Sequence, residues 1–322
     1  MSADANTALI LHLQRLSTED GPGIRTTVFF KGCPLHCTWC HNPESIASYP
    51  QVQWVETRCI GCESCLATCR NGVLSRLPDS AIFVDRESCQ GCGTCTEVCP
   101  TNAMELLGRT VTVDTLTQEL LKDKAYYGSS GGVTASGGEP SLQPAFVSAL
   151  FERLKEESIH TALDTCGACS PSCLIQILPY TDLVLFDLKI MNPTKHYRET
   201  GQENQRILKN LLVLAEQIRV NGYQTKLWIR TPLIPGVTTT EENLHSISTF
   251  LQKNLNGTVA RWELCAFNNL CRDKYRRLGI PWRFEDTPLM TQAELDRCER
   301  FAKSGSFDAS RIFISGAVKA EP

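Results

Sequence analysis

The sequence predicts an α/β protein built as a partial (β/α)6, TIM-like barrel, with a cysteine-rich segment inserted near its N-terminus. Short apolar runs alternate with amphipathic helical segments through most of the 322 residues. These runs are apolar at nearly every position, which is typical of parallel strands covered on both faces. Polar or reactive residues follow the ends of the runs, where a parallel barrel carries its functional groups.

Composition and charge place the chain among ordinary globular proteins. Hydrophobic residues make up 42% and charged residues 21% of the sequence, and the formal net charge is −3. Such a charge gives no reason to expect a nucleic acid or an anionic membrane as partner. No segment approaches the roughly 18 apolar residues of a membrane span, and the N-terminus lacks the pattern of a signal peptide. We therefore expect a cytoplasmic protein.

The predicted elements follow one another along the chain. Residues 1–20 are predicted as a short strand and turn at the edge of the main domain, and Thr26–Phe30 as a buried strand. A hairpin strand is predicted at 81–85, and further strands at 133–136, 159–163, 182–188, 225–231, 259–267 and 311–314. Helices are predicted at 115–123, 144–157, 172–178, 207–220, 241–253 and 291–303. The first helix is expected to begin near Asp114 or Thr115.

Three cysteines follow the first buried strand, in the stretch GPGIRTTVFFKGCPLHCTWCHNPES. Cys33, Cys37 and Cys40 have the spacing C-x3-C-x2-C, and we call residues 33–40 the cysteine loop. Three thiolates on one short loop suit an iron–sulfur cluster or a closed metal site. A four-iron cluster needs four ligands, so this loop would leave one iron open to a substrate, as a catalytic zinc site leaves a position open. A structural zinc knuckle and a set of buried thiols are the alternatives.

The cysteine-rich segment (residues 49–106) contains two copies of the pattern C-x2-C-x2-C-x3-C, thirty residues apart. This duplication is typical of bacterial-type two-cluster ferredoxins, in which the fourth cysteine of each run ligates the other cluster. The first predicted set is therefore Cys59, Cys62, Cys65 and Cys99, and the second is Cys89, Cys92, Cys95 and Cys69. A pair of zinc sites is the alternative. We expect two domains, a ferredoxin-like insert at 49–106 and a main domain at 1–48 and 107–322.

Six of the 17 cysteines lie outside these motifs. Cytoplasmic thiols are kept reduced, so disulfides are a poor explanation for such a number. Cys166, Cys169 and Cys173 have the spacing C-x2-C-x3-C, which leaves a further cluster open. These three cysteines have no second cysteine motif to supply further ligands, and they lie at the start of a predicted helix. Cysteines in such a position are more often buried thiols.

Several strand ends carry residues suited to binding a small molecule. Gly137 and Gly138 offer no side chain, so a ligand can approach the backbone there. Asp187 and Lys189 are two residues apart on a predicted strand, so both side chains point to the same face. A mutual or surface ion pair is the alternative for these two. Arg230 ends another strand and is suited to pairing with a carboxylate.

Three stretches resemble the activating enzymes of glycyl radical enzymes, within the radical S-adenosyl-L-methionine (SAM) superfamily. These are the cysteine-loop stretch, YYGSSGGVTASGGEP and FDLK, and the resemblance runs through most of the chain. It implies the radical SAM type of partial barrel and three 4Fe–4S clusters, with Cys33, Cys37 and Cys40 at the catalytic one. The implied SAM-binding residues are Trp39, Cys40, His41, Gly137, Gly138, Glu139, Asp164, Asp187, Leu188, Lys189, Arg230 and Asn268.

The resemblance also implies a reaction. One electron from the reduced cluster cleaves SAM, and the 5′-deoxyadenosyl radical removes a hydrogen atom from a backbone glycine of a partner enzyme, in an anaerobic setting. Flavodoxin or ferredoxin would donate the electron, and the clusters of the insert would relay it or shape the docking surface. Two alternatives remain open: another radical SAM enzyme acting on a different peptide or small molecule, and a non-enzymatic polyferredoxin-like electron carrier. The pattern identifies neither the partner nor the oligomeric state.

Overall fold

A nine-stranded sheet forms the centre of the protein in a computed structural model, which describes residues 6–79 and 81–319. The strands are β1 (Thr7–Ser17), β2 (Arg25–Phe30), β3 (Gln51–Trp54), β4 (Leu74–Arg76), β5 (Ile82–Val84), β6 (Met104–Leu107), β7 (Arg109–Thr112), β8 (Gly132–Gly137), β9 (His160–Thr165), β10 (Leu183–Asp187), β11 (Lys226–Leu233), β12 (Val259–Ala266) and β13 (Ile312–Ser315). The helices are α1 (Ser64–Thr68), α2 (Thr94–Glu97), α3 (Val113–Leu121), α4 (Lys124–Tyr127), α5 (Pro144–Glu156), α6 (Pro171–Ile177), α7 (Pro193–Thr200), α8 (Gln205–Val220), α9 (Glu241–Leu255), α10 (Arg272–Leu278) and α11 (Gln292–Lys303).

The main sheet is mostly parallel. Its strand order is β13-β12-β11-β10-β9-β8-β2-β1-β7. Neighbours from β2 to β13 are parallel, whereas β1 runs antiparallel to both β2 and β7. Each of these parallel strands overlaps a strand predicted from the apolar runs, which confirms the α/β class. The carboxyl ends of the parallel strands meet at one edge of the sheet, where functional groups are expected.

The apolar strands are covered by helices whose buried faces follow the helical period. Residues Leu183 to Phe186 of β10 are all buried, as expected for a strand covered on both sides. On α5, Phe146, Leu150 and Leu154 are almost completely buried, with spacings of four residues that place them on one face. Among the described residues, no helix has both the length and the apolar character needed to cross a membrane.

The predicted edge position of the N-terminal strand is wrong. β1 is eleven residues long and lies between β2 and β7, so β7 forms the edge. The second half of β1 carries Gln14 and Arg15 and is largely exposed, so only its apolar first half is recognisable from the sequence. The short, polar strand β7 has no apolar run at all. Residues 1–5 of the predicted element lie outside the described residues.

Five short helices escaped prediction, namely α1, α2, α4, α7 and α10, and one predicted helix begins earlier than expected. α3 starts after Thr112, whose hydroxyl oxygen accepts the Thr115 amide at 3.2 Å, while the Thr115 hydroxyl oxygen accepts the Thr112 amide at 3.1 Å. This reciprocal capping box stabilises a start before Asp114 or Thr115. α7 and α10 are short and mostly polar, so they show little apolar periodicity.

The cysteine-rich segment contains two small antiparallel pairs, β3 with β6 and β4 with β5. The second pair includes the hairpin strand predicted at 81–85. The buried apolar cluster of this segment consists of Val52, Cys65, Leu74, Ile82, Val84, Cys95 and Met104. The Arg86 guanidinium ties the segment to α10, because it donates to the Leu278 carbonyl at 2.5 Å as well as to the Val52 carbonyl at 2.9 Å.

We expect Thr291→Ala to lower the unfolding free energy by about 1 kcal/mol, because Thr291 caps α11. Its hydroxyl oxygen accepts the Glu294 amide at 3.3 Å, and the Glu294 carboxylate accepts the Thr291 amide at 2.8 Å. Thermal unfolding should show a transition lower by a few degrees. Ser306→Ala, at an exposed position, is the control. Equal transition temperatures for both variants would argue against the cap.

Candidate active site

A cavity of about 370 Å³ lies at the carboxyl ends of the parallel strands. Its volume falls within the range of small-molecule sites. Twelve residues predicted from the sequence line it: Cys33, Cys37, Trp39, Cys40, His41, Gly137, Gly138, Asp164, Asp187, Lys189, Arg230 and Asn268. These residues come from the cysteine loop, from His41 beside it, and from the carboxyl-terminal parts of five successive strands or the residues that follow them. Arg230 does not end its strand as predicted, because β11 continues to Leu233. The fold thus brings distant parts of the chain to one place.

The cysteine loop is held through its backbone. The Gly32 amide donates to the Ser45 carbonyl at 2.8 Å, which closes the loop onto the segment that follows it. The Tyr275 hydroxyl donates to the Cys40 carbonyl at 2.8 Å, and the Trp282 indole donates to the Thr38 carbonyl at 3.1 Å. α10 and the residues after it therefore support the loop from outside the sheet.

α7 supports the same loop from a second side. The Thr38 amide donates to the Glu199 carbonyl at 2.9 Å, and the Thr38 hydroxyl donates to the Glu199 carboxylate at 3.0 Å. Arg283 also pairs with this carboxylate, at 3.1 Å. Glu199 is buried, which requires such partners for its charge. The one sequence signal for this role is a glutamate close to the end of an otherwise polar helix, which is too common to be informative.

The three thiols of the loop lie in an environment suited to a metal. Burial raises the pKa of Cys37 to about 12 and also raises the pKa of Cys40. Contact with the Cys166 thiol lowers the pKa of Cys33. Buried thiolates are stabilised when a soft metal neutralises their charge, and metal binding then releases the thiol protons. The donor set therefore fits an iron–sulfur cluster.

The glycine pair at the end of β8 packs directly on the cysteine loop. The Gly138 amide donates to the Phe30 carbonyl at 2.9 Å, and the Glu139 amide donates to the Gly32 carbonyl at 2.8 Å. A Cβ atom on Gly138 would lie 2.3 Å from the Gly32 carbonyl oxygen. Only glycine allows this approach.

Two predicted binding residues lie beside the cavity and do not line it. The Glu139 side chain is fully buried, and its carboxylate accepts the Thr165 hydroxyl and the Cys166 amide, both at 2.7 Å. Glu139 thus fixes the end of β9 against the end of β8. Leu188 is buried in the hydrophobic core.

Asp187 and Lys189 line the cavity as expected, although β10 ends at Asp187 and Lys189 lies beyond it. Their side chains form an ion pair with each other, which is the alternative considered from the sequence. Because the ion pair faces the cavity, Asp187 and Lys189 are both partners of each other and part of the candidate binding site. A ligand with its own charges would compete for either partner.

Arg230 is the centre of a second group of charges. Its guanidinium lies 3.7 Å from the Asp164 carboxylate and 3.5 Å from the Glu263 carboxylate. Asp164 also accepts the Ser136 hydroxyl at 2.6 Å. Burial raises the pKa of Asp164 to about 7, and the nearby Arg230 opposes this effect. Glu263 and Ser136 escaped prediction, although two charged residues within the otherwise apolar strand β12, Arg261 and Glu263, are a usable signal.

We expect the stability difference between wild type and Asp164→Asn to depend on pH. Because the folded protein holds the Asp164 proton up to about pH 7, wild type loses stability between pH 4 and 7, where the unfolded chain has already lost that proton. The shift corresponds to on the order of 4 kcal/mol. The thermal stability of Asp164→Asn, measured relative to wild type at the same pH, should therefore be higher at pH 8 than at pH 5. A constant difference would contradict the raised pKa.

The remaining predicted residues connect the cysteine loop with the end of β12. His41 Nε2 donates to the Asn268 carbonyl at 3.0 Å. Burial lowers the pKa of His41, which favours the neutral ring. Trp39 is only 5% exposed and forms part of the cavity wall. Residues that line the cavity without having been singled out include Glu19, Cys265, Ser315 and Gly316.

The cysteine-rich segment contains a separate, smaller cavity. Cys59, Cys62, Cys65 and Cys99 line it together with Trp54. The last cysteine of the second run thus joins the first three of the first run. In the other set, Cys95 has its pKa raised to about 11 by burial and by neighbouring thiols, of which Cys69 is one.

The three cysteines at 166, 169 and 173 do not gather around one space. Cys166 lines the main cavity beside Cys33, whereas Cys169 is part of the hydrophobic core and Cys173 packs against it. Within residues 6–79 and 81–319, no group of three His, Cys, Asp or Glu side chains is close enough to hold a single metal ion.

Comparison with known proteins gives three family matches. The radical SAM superfamily matches residues 86–246, a 4Fe–4S dicluster domain matches 53–106, and a 4Fe–4S single cluster domain matches 19–72. A radical SAM methyltransferase from Sphaerobacter thermophilus has a similar fold, with a TM-score of 0.52 and 12% identity over 98% of this chain and 74% of that one.

Two relatives cover nearly the whole chain. The (2S)-3-sulfopropanediol dehydratase activating enzyme of Klebsiella oxytoca is 38% identical over 86% of this chain and 87% of its own length. The choline trimethylamine-lyase activating enzyme of Oleidesulfovibrio alaskensis is 36% identical over 95% of this chain and 98% of its own. Identity at this level over such coverage shows common descent. The chain is therefore a radical SAM enzyme and belongs to the family of activating enzymes of glycyl radical enzymes.

Proposed function

We propose that this protein activates a partner glycyl radical enzyme by reductive cleavage of SAM in the cavity at the carboxyl ends of the parallel strands. The observation that carries the proposal is that one cavity joins the cysteine loop to Gly138, Asp187, Lys189 and Arg230. An electron carrier needs no such arrangement, because its clusters require only ligands and a route for electrons. The charged strand ends around a small-molecule cavity favour an enzyme.

Cys33, Cys37 and Cys40 would hold a 4Fe–4S cluster with one iron left for the substrate. When bound, the cluster supplies the electron that splits SAM into methionine and a 5′-deoxyadenosyl radical, which takes a hydrogen atom from a backbone glycine of the partner. The three thiols are half-buried in the cavity wall, and the loop is fixed by α7 and α10. This rigid support would hold the three cysteine ligands in place at the cavity wall.

The strand ends would bind and orient SAM. SAM carries a carboxylate, an ammonium group and a sulfonium, and the cavity wall offers both signs of charge. Lys189 and Arg230 are suited to the carboxylate, and Asp164 and Asp187 to the cationic groups. Gly137 and Gly138 leave backbone exposed for close approach, while Trp39, His41 and Asn268 form the wall at the β12 side. We include Glu139 and Leu188 as the supports that hold these strand ends in place.

We also propose that residues 49–106 are a ferredoxin-like domain inserted into a partial (β/α)6 barrel formed by 1–48 and 107–322. Its two cysteine sets would hold two more 4Fe–4S clusters, for three in the chain. The cavity shared by Cys59, Cys62, Cys65 and Cys99 supports the predicted exchange of fourth ligands. A flavodoxin or ferredoxin is the proposed electron donor, because both deliver single electrons at low potential.

The proposal is tested by anaerobic reconstitution followed by measurement of iron and of SAM cleavage under dithionite. We expect about twelve irons per chain, as three clusters require, and release of 5′-deoxyadenosine. The partners of the two relatives, sulfopropanediol dehydratase and choline trimethylamine-lyase, then serve as acceptors in electron paramagnetic resonance (EPR) spectroscopy. A glycyl radical signal supports activation. About eight irons without cleavage would leave an electron carrier, and cleavage without any glycyl radical would favour a different radical SAM reaction.

A further inference from the structure

We infer that the indole N–H of Trp54 donates a hydrogen bond to the iron–sulfur group of the first cysteine set and makes that group easier to reduce than its counterpart in the second set. The first set is Cys59, Cys62, Cys65 and Cys99. The inference rests on the proposed function, in which both sets hold clusters. It concerns a residue of this chain that no cysteine motif identifies.

The indole nitrogen of Trp54 is buried and has no hydrogen-bond partner among the described residues. Leaving a buried donor unpaired costs about 1–3 kcal/mol, so most buried donors have an acceptor. The indole nitrogens of Trp262 and Trp282 follow this rule, with acceptors at 3.0 Å and 3.1 Å. The unpaired donor of Trp54 therefore indicates an acceptor that is not part of the polypeptide.

The cavity beside Trp54 identifies the chemical class of that acceptor. Trp54 is the last residue of β3, and it lines the same small cavity as the four cysteines. The other wall residues include the apolar Ile60, Ile82 and Met104 and two polar residues, Thr101 and Glu63, whose carboxylate is paired with Arg76. Neither polar side chain is a hydrogen-bond partner of the indole, so the acceptors that fit are sulfur atoms, either of the cysteine thiolates or of a bound cluster. The Ala103 amide already donates to the Cys99 sulfur at 3.2 Å, so this site uses N–H donors to sulfur.

The two cysteine sets share one hydroxyl contact and differ in others. Among the described residues, the Ala103 amide and the Thr101 hydroxyl contact the Cys99 sulfur of the first set, and no such contact is found at Cys69 of the second, so the indole would be a further donor to the first set. In the first set, the Ser64 hydroxyl lies 3.5 Å from the Cys62 sulfur. In the second set, the Thr94 hydroxyl lies 3.5 Å from the Cys92 sulfur, at the equivalent position thirty residues on.

The repeat also identifies what stands in place of the indole. Trp54 lies five residues before Cys59, and the residue five before Cys89 is Val84. Val84 is buried and its side chain has no donor.

Hydrogen bonds to the sulfurs are among the factors that set the potential of an iron–sulfur centre. A donor stabilises the reduced form, because that form carries more negative charge on its sulfurs. The first set should therefore have the higher reduction potential of the two, and removal of the indole N–H should lower it.

The test is an EPR-monitored redox titration of the full chain, reconstituted anaerobically. Cys33, Cys37 and Cys40 are replaced by alanine in all samples, so that only the two sets of the cysteine-rich segment contribute. Trp54→Phe removes the N–H and keeps an aromatic ring. We expect two midpoint potentials in the Trp54 protein, and a shift of only the higher one to more negative values in Trp54→Phe. Trp228→Phe, whose ring packs under Arg261 in the main sheet, is the control and should change neither midpoint.

Pulsed EPR on protein labelled with 15N-tryptophan provides a readout that does not depend on the variant folding. Hyperfine coupling of one reduced centre to an indole nitrogen is expected. Absence of that coupling in a fully iron-loaded protein would overturn the inference, and so would unchanged midpoints in Trp54→Phe. Neither result touches the proposed function, which fails instead if the protein with its native cysteines takes up no iron.

Discussion

Cys37→Ala is expected to abolish the release of 5′-deoxyadenosine. Cys37 is one of three thiols that the cysteine loop contributes to the main cavity. Two thiolates cannot retain a four-iron cluster that leaves one iron open. The variant should therefore lose about four of about twelve irons and keep the rest in the cysteine-rich segment.

The iron content separates loss of the site from loss of the fold. A misfolded chain would lose all of its iron, whereas the expected variant keeps about eight irons and their EPR signals. Cys173→Ala is the matched control, because Cys173 packs against the core away from the cavity. It should retain full iron and full cleavage. Loss of iron in Cys173→Ala would revive the further cluster at 166, 169 and 173, and cleavage by Cys37→Ala would refute the assignment of the loop.

The strand ends were the most predictable part of the site. Asp187 and Arg230 were predictable because each lies near the end of a predicted strand, and the ends of parallel strands meet at one edge of a sheet. The two residues are paired in register across β10 and β11, although β11 continues beyond Arg230. This strand-end rule requires only the periodicity and the length of the apolar runs in the sequence. It therefore also predicted the α/β class and its parallel strands, although it was wrong about the position of β1.

The supports of the cysteine loop could not be predicted in the same way. Glu199 and Tyr275 contact the loop across 161 and 235 positions of sequence, and both lie on or beside short helices with few apolar residues. Nothing local marks such contacts, because the partner of a buried carboxylate or hydroxyl is set by the folded arrangement. Glu263 is an intermediate case. A charge in an apolar strand predicts a partner, and Arg261 two residues away is recognisable as one, but the sequence does not identify Arg230 as the other.

The cysteine-rich segment shows what a repeat adds to such reasoning. The doubled spacing predicted that Cys99 would join the first run, and the fold does place Cys99 in that cavity. The same repeat aligns Trp54 with Val84 and so points to a difference between two similar sites. Trp54 itself gives no signal in the sequence, because its role depends on a donor left without an acceptor.

Gly138→Ala is expected to reduce SAM cleavage by about 100-fold, although residue 138 carries no reactive group. The new Cβ would lie 2.3 Å from the Gly32 carbonyl oxygen and 2.9 Å from the Ser45 carbonyl oxygen. Both neighbours are backbone atoms that precede or follow the cysteine loop, so they cannot turn away as a flexible side chain would. The end of β8 must then move away from the loop, and a displacement of about 1 Å in a positioned site costs on the order of 100-fold in rate.

Gly257→Ala separates this effect from the general cost of replacing a glycine. Gly257 has φ +82° and open space around its Cα, so alanine there meets backbone strain without a clash. That strain costs on the order of 1–3 kcal/mol, similar to the cost of overpacking at Gly138. The two variants should therefore lose similar thermal stability, while only Gly138→Ala loses SAM cleavage at full iron content. Equal cleavage by the two variants would show that the contact between β8 and the cysteine loop does not position the substrate.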